Sequence, residues 1–285
     1  MPSAYGIQGK RYSFEHGRLI LIAALLLLGQ IVLYGYTAKL SYVALPISGP
    51  TASLPLAVST EKSLNWSGYI AHEGYFTTVS GSWIVPTVKS SSILAADATW
   101  VGIGGVENKN LIQAGTQAVA DLDGTVSYEA WIEGLPDASK HVPLSVHAGD
   151  YVTVSLVETS PGLWSITMKN NTTGKTFETS MPYASSHSSA EWIQEMPSGN
   201  VAIALDSFDS VHFISGSATK NGKVVTPKEA KAKALSLVSH TGEELVVPSV
   251  LDTSGAFRVE RTDIPSYADS NGRTYLQSEI PSEQY

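Results

Sequence analysis

A chain of 285 residues with 43% apolar side chains can bury one sizeable core, and its 24 Gly, 14 Pro and only 15% charged residues point to turn-rich globular structure rather than disorder. Eighteen Lys and Arg against 26 Asp and Glu leave a net charge of −8, which excludes the basic surface that a nucleic-acid partner requires. With no cysteine the chain can form no disulfide, no thiolate metal site and no cysteine nucleophile.

Residues 1–18 form a short segment containing Lys10, Arg11 and Arg18. Residues 19–36 (LILIAALLLLGQIVLYGY) carry no charge and span about 27 Å as a helix, just the thickness of a bilayer core. The basic residues before this run keep the N-terminus inside and send the rest of the chain out of the cytoplasm. Gly35-Tyr36-Thr37 is a poor cleavage site, which favours an uncleaved transmembrane anchor over a removed signal helix, the latter giving a secreted protein. Residues 37–61, with three prolines between Leu45 and Ser59, read as an extended spacer or pro-segment.

From residue 62 to 261 the pattern changes to short runs rich in Val, Ile, Thr, Tyr and Trp, broken about every ten residues by Gly, Pro, Asn or Asp, as expected of an all-β sandwich or barrel. Strands are predicted over 75–85, 99–103, 110–117, 125–133, 151–158, 163–170, 175–181, 190–195, 201–208 and 211–218. Val152, Val154 and Leu156 alternate with Thr153, Ser155 and Val157, the period of a half-buried strand. A short surface helix is predicted over 227–238, with Thr226 as N-cap and Pro227 in the first position. Residues 262–285 are polar and without periodicity, and read as a loose tail.

The usual catalytic signatures are missing. There is no G-x-S-x-G elbow, no H-E-x-x-H helix and no phosphate-binding G-x-x-x-x-G-K, and the seven histidines lack ligand spacing, so no metal or cofactor is expected. Asp252-Thr253-Ser254-Gly255 is single and wrongly spaced for a carboxylate dyad. Carboxylates and amides remain. Gln113 shares a strand face with Leu111 and Gly115, and Glu191 shares one with Ile193 and Glu195. Taken alone, each is as readily a structural or solvated residue as a catalytic one.

Asn65-Trp66-Ser67-Gly68 followed by Val79-Ser80-Gly81-Ser82-Trp83-Ile84-Val85-Pro86 resembles the opening of the glutamic peptidases, the eqolisin family. Blocks 100–103, 111–115, 128–133, 190–193 and 248–251 follow in the family's order, so the resemblance runs from about residue 62 to 260. It implies two antiparallel sheets packed as a curved, lectin-like (jelly-roll) sandwich, and an acid-acting endopeptidase in a monomeric domain whose partners are protein or peptide substrates. It places the catalytic pair on Gln113 and Glu191, and substrate-binding side chains on Trp100, Tyr128, Glu129, Trp131 and Glu133. Gly104 stands where fungal members carry an acidic residue. Two other readings are a glycoside hydrolase using carboxylates among Glu129, Glu133 and Glu191, and a non-catalytic carbohydrate-binding module.

Overall fold

The computed structural model describes residues 54–197, 203–262, 266–268 and 274–276; the hydrophobic run 19–36 lies outside the described residues. No described helix is long and apolar enough to cross a membrane. In chain order the strands are β1 (Glu61–Ser63), β2 (Trp66–Ala71), β3 (Phe76–Ile84), β4 (Val88–Lys89), β5 (Ala95–Gly104), β6 (Leu111–Ala120) and β7 (Val126–Gly134). Then come β8 (Lys140–Val142), β9 (Tyr151–Ser160), β10 (Leu163–Asn170), β11 (Lys175–Pro182), β12 (Ala190–Glu195), β13 (Ile203–Leu205) and β14 (Ser207–Phe208). The last are β15 (Ser210–Lys220), β16 (Lys223–Val225), β17 (Lys233–Val238), β18 (Glu244–Pro248), β19 (Phe257–Arg261), β20 (Ser266–Ala268) and β21 (Thr274–Leu276).

One ladder connects nearly all of them. It runs β11–β10–β9–β3–β15, passes through β19, β18 and β17, and continues as β2–β12–β5–β6–β7–β8. Pairing is antiparallel except at β1–β17 and β13–β5, and β4 and β14 form a separate two-stranded piece. The ladder folds back on itself, so that β3 lies across the main core from β6 and β12. Trp83 on β3 donates its indole N–H to Thr116 Oγ on β6 (3.0 Å), and Trp192 on β12 donates to the Ser80 carbonyl on β3 (2.9 Å). Both tryptophans are fully buried, among Val79, Val101, Val154, Leu156 and Ile166, where large aromatic surfaces contribute most of the packing energy. The alternation on β9 is as expected: Val152, Val154 and Leu156 are buried while Thr153, Ser155 and Val157 are half-buried.

Two predicted elements are corrected. Residues 227–238 are not a helix. The Thr226 cap forms, its hydroxyl accepting from the Glu229 N–H (3.2 Å) while the Glu229 carboxylate accepts from the Thr226 N–H (2.8 Å). One turn follows and ends at Lys231, whose φ is 60°, and the chain then becomes strand β17 between β2 and β18. The polar tail is not structureless either, since β20 and β21 form a hairpin that adds to β13. The spacer's last residues are also attached: Ala57 N–H donates to the Pro248 carbonyl and Val250 N–H to the Pro55 carbonyl, each at 2.8 Å.

Candidate active site

The strands β2, β12, β5, β6 and β7 lie side by side, and their register stacks three rungs of side chains on the face turned away from the main core. Partners across a ladder point to the same side. The first rung reads Ile70, Glu191, Gly102, Gln113, Glu133; the second Gly68, Ile193, Trp100, Gly115, Trp131; the third Trp66, Glu195, Ala98, Gln117, Glu129. Small residues are needed in this sheet. A Cβ on Gly68, where φ is 139°, would sit 2.2 Å from the Trp192 carbonyl oxygen, and one on Gly115 would sit 2.6 Å from Trp100 Cβ. The glycines therefore let the Trp192 backbone and the base of the Trp100 side chain come close at these two places.

The resulting cleft has a volume of about 600 Å³ and is lined by Gln113, Gln117, Glu133 and Glu195 together with apolar side chains that include Trp66, Leu111, Trp131 and Leu135. Gln113 is 5% exposed and donates from Nε2 to the Glu133 carboxylate, leaving its own carbonyl oxygen buried without a partner. Burial raises the Glu133 pKa, and the Gln113 N–H opposes that rise.

Glu191 is 0% exposed. One glycine strand separates it from Gln113, so the two backbones are roughly 9.5 Å apart, and Gly102 between them offers no side chain. Here that gap is closed by neighbours: a Cβ on Gly102 would meet Leu111 Cδ1 at 2.9 Å and the Trp100 ring at 3.0 Å. Glu191 thus lies beneath the cleft surface, under an apolar cover. Burial holds its carboxyl well above the usual range; the Ser189 hydroxyl favours the charged form, but neither carboxylate oxygen makes a well-formed hydrogen bond. The segment leading into β12 is clamped from outside. His187 stacks on Tyr75 (4.3 Å between ring centroids) and its Nε2 pairs with Glu158 (3.0 Å), while the Ser189 carbonyl accepts from Gly104 N–H (3.1 Å).

The substrate-binding expectations divide. Trp100, Trp131, Glu129 and Glu133 lie on the cleft face, although Trp100 is fully buried and Glu129 turns toward Gln117 (3.3 Å) and His141 (3.7 Å). Tyr128 does not join them. Period-two alternation puts it on the opposite face, where its hydroxyl accepts from Val88 N–H (3.0 Å) and buttresses β4. Sequence reading missed Glu195, Gln117 and Asn65. The signal was available: Gln113 and Gln117, Glu129 and Glu133, and Glu191 and Glu195 are each four residues apart on one strand, which repeats a Glu–Gln–Glu rung along the sheet.

A folded antiparallel ladder that carries an amide in a cleft and a buried carboxyl on the same rung marks an all-β protein whose candidate site is built of carboxyls and amides. A family model described as the peptidase A4 family matches residues 64–260, and the chain belongs to that family, the glutamic peptidases, which hydrolyse peptide bonds. It is 30% identical over 196 residues to aspergillopepsin-2 of Aspergillus niger, covering 60% of this chain and 69% of that one. It is 32% identical over 180 residues to scytalidopepsin B of Scytalidium lignicola, with 59% and 68% covered. Among solved structures, scytalido-glutamic peptidase with a transition-state analogue inhibitor superposes with a TM-score of 0.59 at 26% identity, over 70% of this chain and 99% of that one. Aspergilloglutamic peptidase from Aspergillus niger superposes with a TM-score of 0.52 at 28% identity, over 59% and 99%.

Proposed function

We propose that this peptidase is an acid-acting endopeptidase in which Glu191 is the general base and acid and Gln113 stabilises the oxyanion. The observation that carries the reading is the first rung: Glu191 and Gln113 flank Gly102, which puts no side chain of its own between them, so that displacing the Leu111 cover opens the space above the sheet to a water and a peptide carbonyl. Ionised Glu191 takes a proton from water, and the oxygen of that water attacks the scissile carbonyl carbon. Gln113 Nε2 carries two hydrogens. One is held by Glu133, which fixes the amide's orientation, and the other is free for the developing oxyanion. Protonated Glu191 then gives its proton to the leaving amine as the C–N bond breaks.

The apolar cover over Glu191 works against ionisation, so substrate entry has to move Leu111 and admit the water whose hydrogen bonds draw the carboxyl's pKa back down. The folded ladder serves as the curved, lectin-like sandwich of the family. The domain works as a monomer outside the cytoplasmic membrane, held by residues 19–36 or released from them. A glycosidase reading is disfavoured because an amide, Gln113, stands between Glu133 and the strand next to Glu191.

The test is incubation of the chain from about residue 54 onward with a denatured protein between pH 2 and 7, with cut bonds mapped by mass spectrometry. Cleavage that survives Gln113→Ala at near-normal turnover would refute the roles assigned here; a loss of a hundred- to a thousand-fold, on the order expected for one oxyanion donor, supports them.

A further inference from the structure

The third rung repeats the chemistry of the first. Glu195 faces Gln117 across Ala98, as Glu191 faces Gln113 across Gly102, and Gln117 donates to Glu129 as Gln113 donates to Glu133. What differs is access: Glu195 and Gln117 both line the cleft, while Glu191 is sealed beneath it.

Donors converge on the Glu195 carboxyl. Trp100 donates its indole N–H to one oxygen (2.7 Å) and Asn65 its side-chain amide to the other (3.2 Å). The Trp66 indole N–H, buried and otherwise without a partner, faces the same group, and the Trp66 and Trp100 rings meet edge to face at 5.0 Å. The two indoles can only donate, and the one acceptor among these side chains, Asn65 Oδ1, already accepts from the Ser63 hydroxyl (3.0 Å). When Glu195 is in its acid form, its O–H finds no acceptor in the indoles that hold it, and the open side of the group is the cleft that it lines.

We propose that Glu195, as a neutral carboxylic acid, donates a hydrogen bond to a main-chain carbonyl of the peptide substrate, with Gln117 as the second contact of the same rung. This deepens the peptidase reading above and rests on it. From Glu191 to Glu195 is four residues, about 13 Å along the strand, so an extended peptide lying along β12 with its scissile carbonyl at the first rung brings a carbonyl of like orientation over the third. Burial, reinforced by the Glu133 carboxylate across the cleft, pushes the Glu195 pKa up to about 7, with the Trp100, Trp66 and Asn65 donors opposing. Glu133 on β7 is the charged group that acts on it from the neighbouring strands; His141, paired with Glu129, lies at the far end of the rung. The acid form therefore prevails in acid and is lost near neutrality, and substrate affinity goes with it.

The experiment measures binding rather than turnover. A fluorescein-labelled octapeptide of alternating Phe and Ala is titrated into the Glu191→Gln protein by fluorescence anisotropy from pH 4 to pH 8, with thermal melts at each pH. The dissociation constant should rise at least ten-fold across that range. Adding Glu195→Gln, which keeps a neutral donor, should preserve the affinity at pH 4 and flatten the pH dependence, while Glu195→Ala should weaken binding about ten-fold at pH 4. A Glu195→Gln protein with the pH dependence unmoved overturns the proposal, as does undiminished binding by Glu195→Ala. If Glu195→Ala does not fold, the Glu195→Gln comparison decides alone. A peptide bound in this pattern but never cut by the unaltered chain would sink the catalytic roles and leave this contact standing.

Discussion

Asp97→Asn should make the fold more stable at neutral pH and leave it unchanged in strong acid. Asp97 and Asp206 are each 1% exposed and sit together behind the catalytic sheet, brought there by the parallel pairing of β13 with β5. Gln194 donates to Asp97 (2.5 Å), and Arg261, whose charge offsets part of the rise at Asp206, donates from one guanidinium nitrogen to the Asp206 backbone carbonyl and the Ser207 hydroxyl (2.5 and 2.8 Å). Burial raises Asp97 to about 6, against hydrogen bonding from Asp206 and Gln194, and raises Asp206 well above the ordinary range, Asp97's own charge adding to the rise. A carboxyl with a raised folded-state pKa favours the fold fully below its unfolded value, near 3.8, and loses that contribution as pH rises through about 6. About two pH units at about 1.4 kcal/mol each is about 3 kcal/mol, or roughly 6–12 °C in Tm for a domain of this size. Calorimetric scans of both proteins at pH 3 and pH 7.5 should show coincident melts at the lower pH and the asparagine protein melting higher at the upper. Equal displacement at both pH values, or none at pH 7.5, would refute the assignment of the neutral-pH cost to this pair.

Leu111→Ala opens the cover over Gly102, so Glu191 becomes easier to ionise and the acid limb of kcat/KM against pH should move to lower pH; an unmoved limb in a folded variant would count against the cover. Gly68→Ala places a methyl against the Trp192 carbonyl at a φ of 139° and should destabilise by about 2–5 kcal/mol in denaturant titrations, whereas Gly124→Ala, with open space around it, should cost only its backbone strain. Chelators and thiol reagents should leave proteolysis unchanged, and zinc-reversible inhibition would contradict the metal-free mechanism. Fractionation should find the full chain with membranes or outside the cell, and recovery from soluble cytosol would argue against the topology drawn from residues 19–36.

Strands with strict alternation or clean turn boundaries were legible in the sequence: β10 and β12 begin and end where the residue pattern says. β2 was missed because Ser67 and Gly68 interrupt its apolar run, and only the tertiary fold shows that Gly68 is there to let Trp192 approach. β17 was misread because Thr226, Pro227 and Glu229 are a genuine helix start; Lys231 stops the turn, and pairing with β2 then outweighs local propensity. In the site, Gln113 and Glu191 came from the resemblance. The assignment of Tyr128 to the cleft ignored the alternation that the same strand displays. Asp97 and Asp206 were beyond reach, since nothing local announces that β13 will lie parallel to β5.

The strand order also governs when the enzyme can exist during its synthesis. β2 sits between β12 and β17, and β1 pairs Glu61 with Leu235, so the earliest of the described strands to leave the ribosome wait for partners made more than a hundred residues later. Contacts so distant in sequence delay folding. Until β12 and β17 have emerged, the sheet that brings Gln113 and Glu191 into one rung has no closed edge beside β2, and the nascent chain has no assembled cleft with which to cut its neighbours.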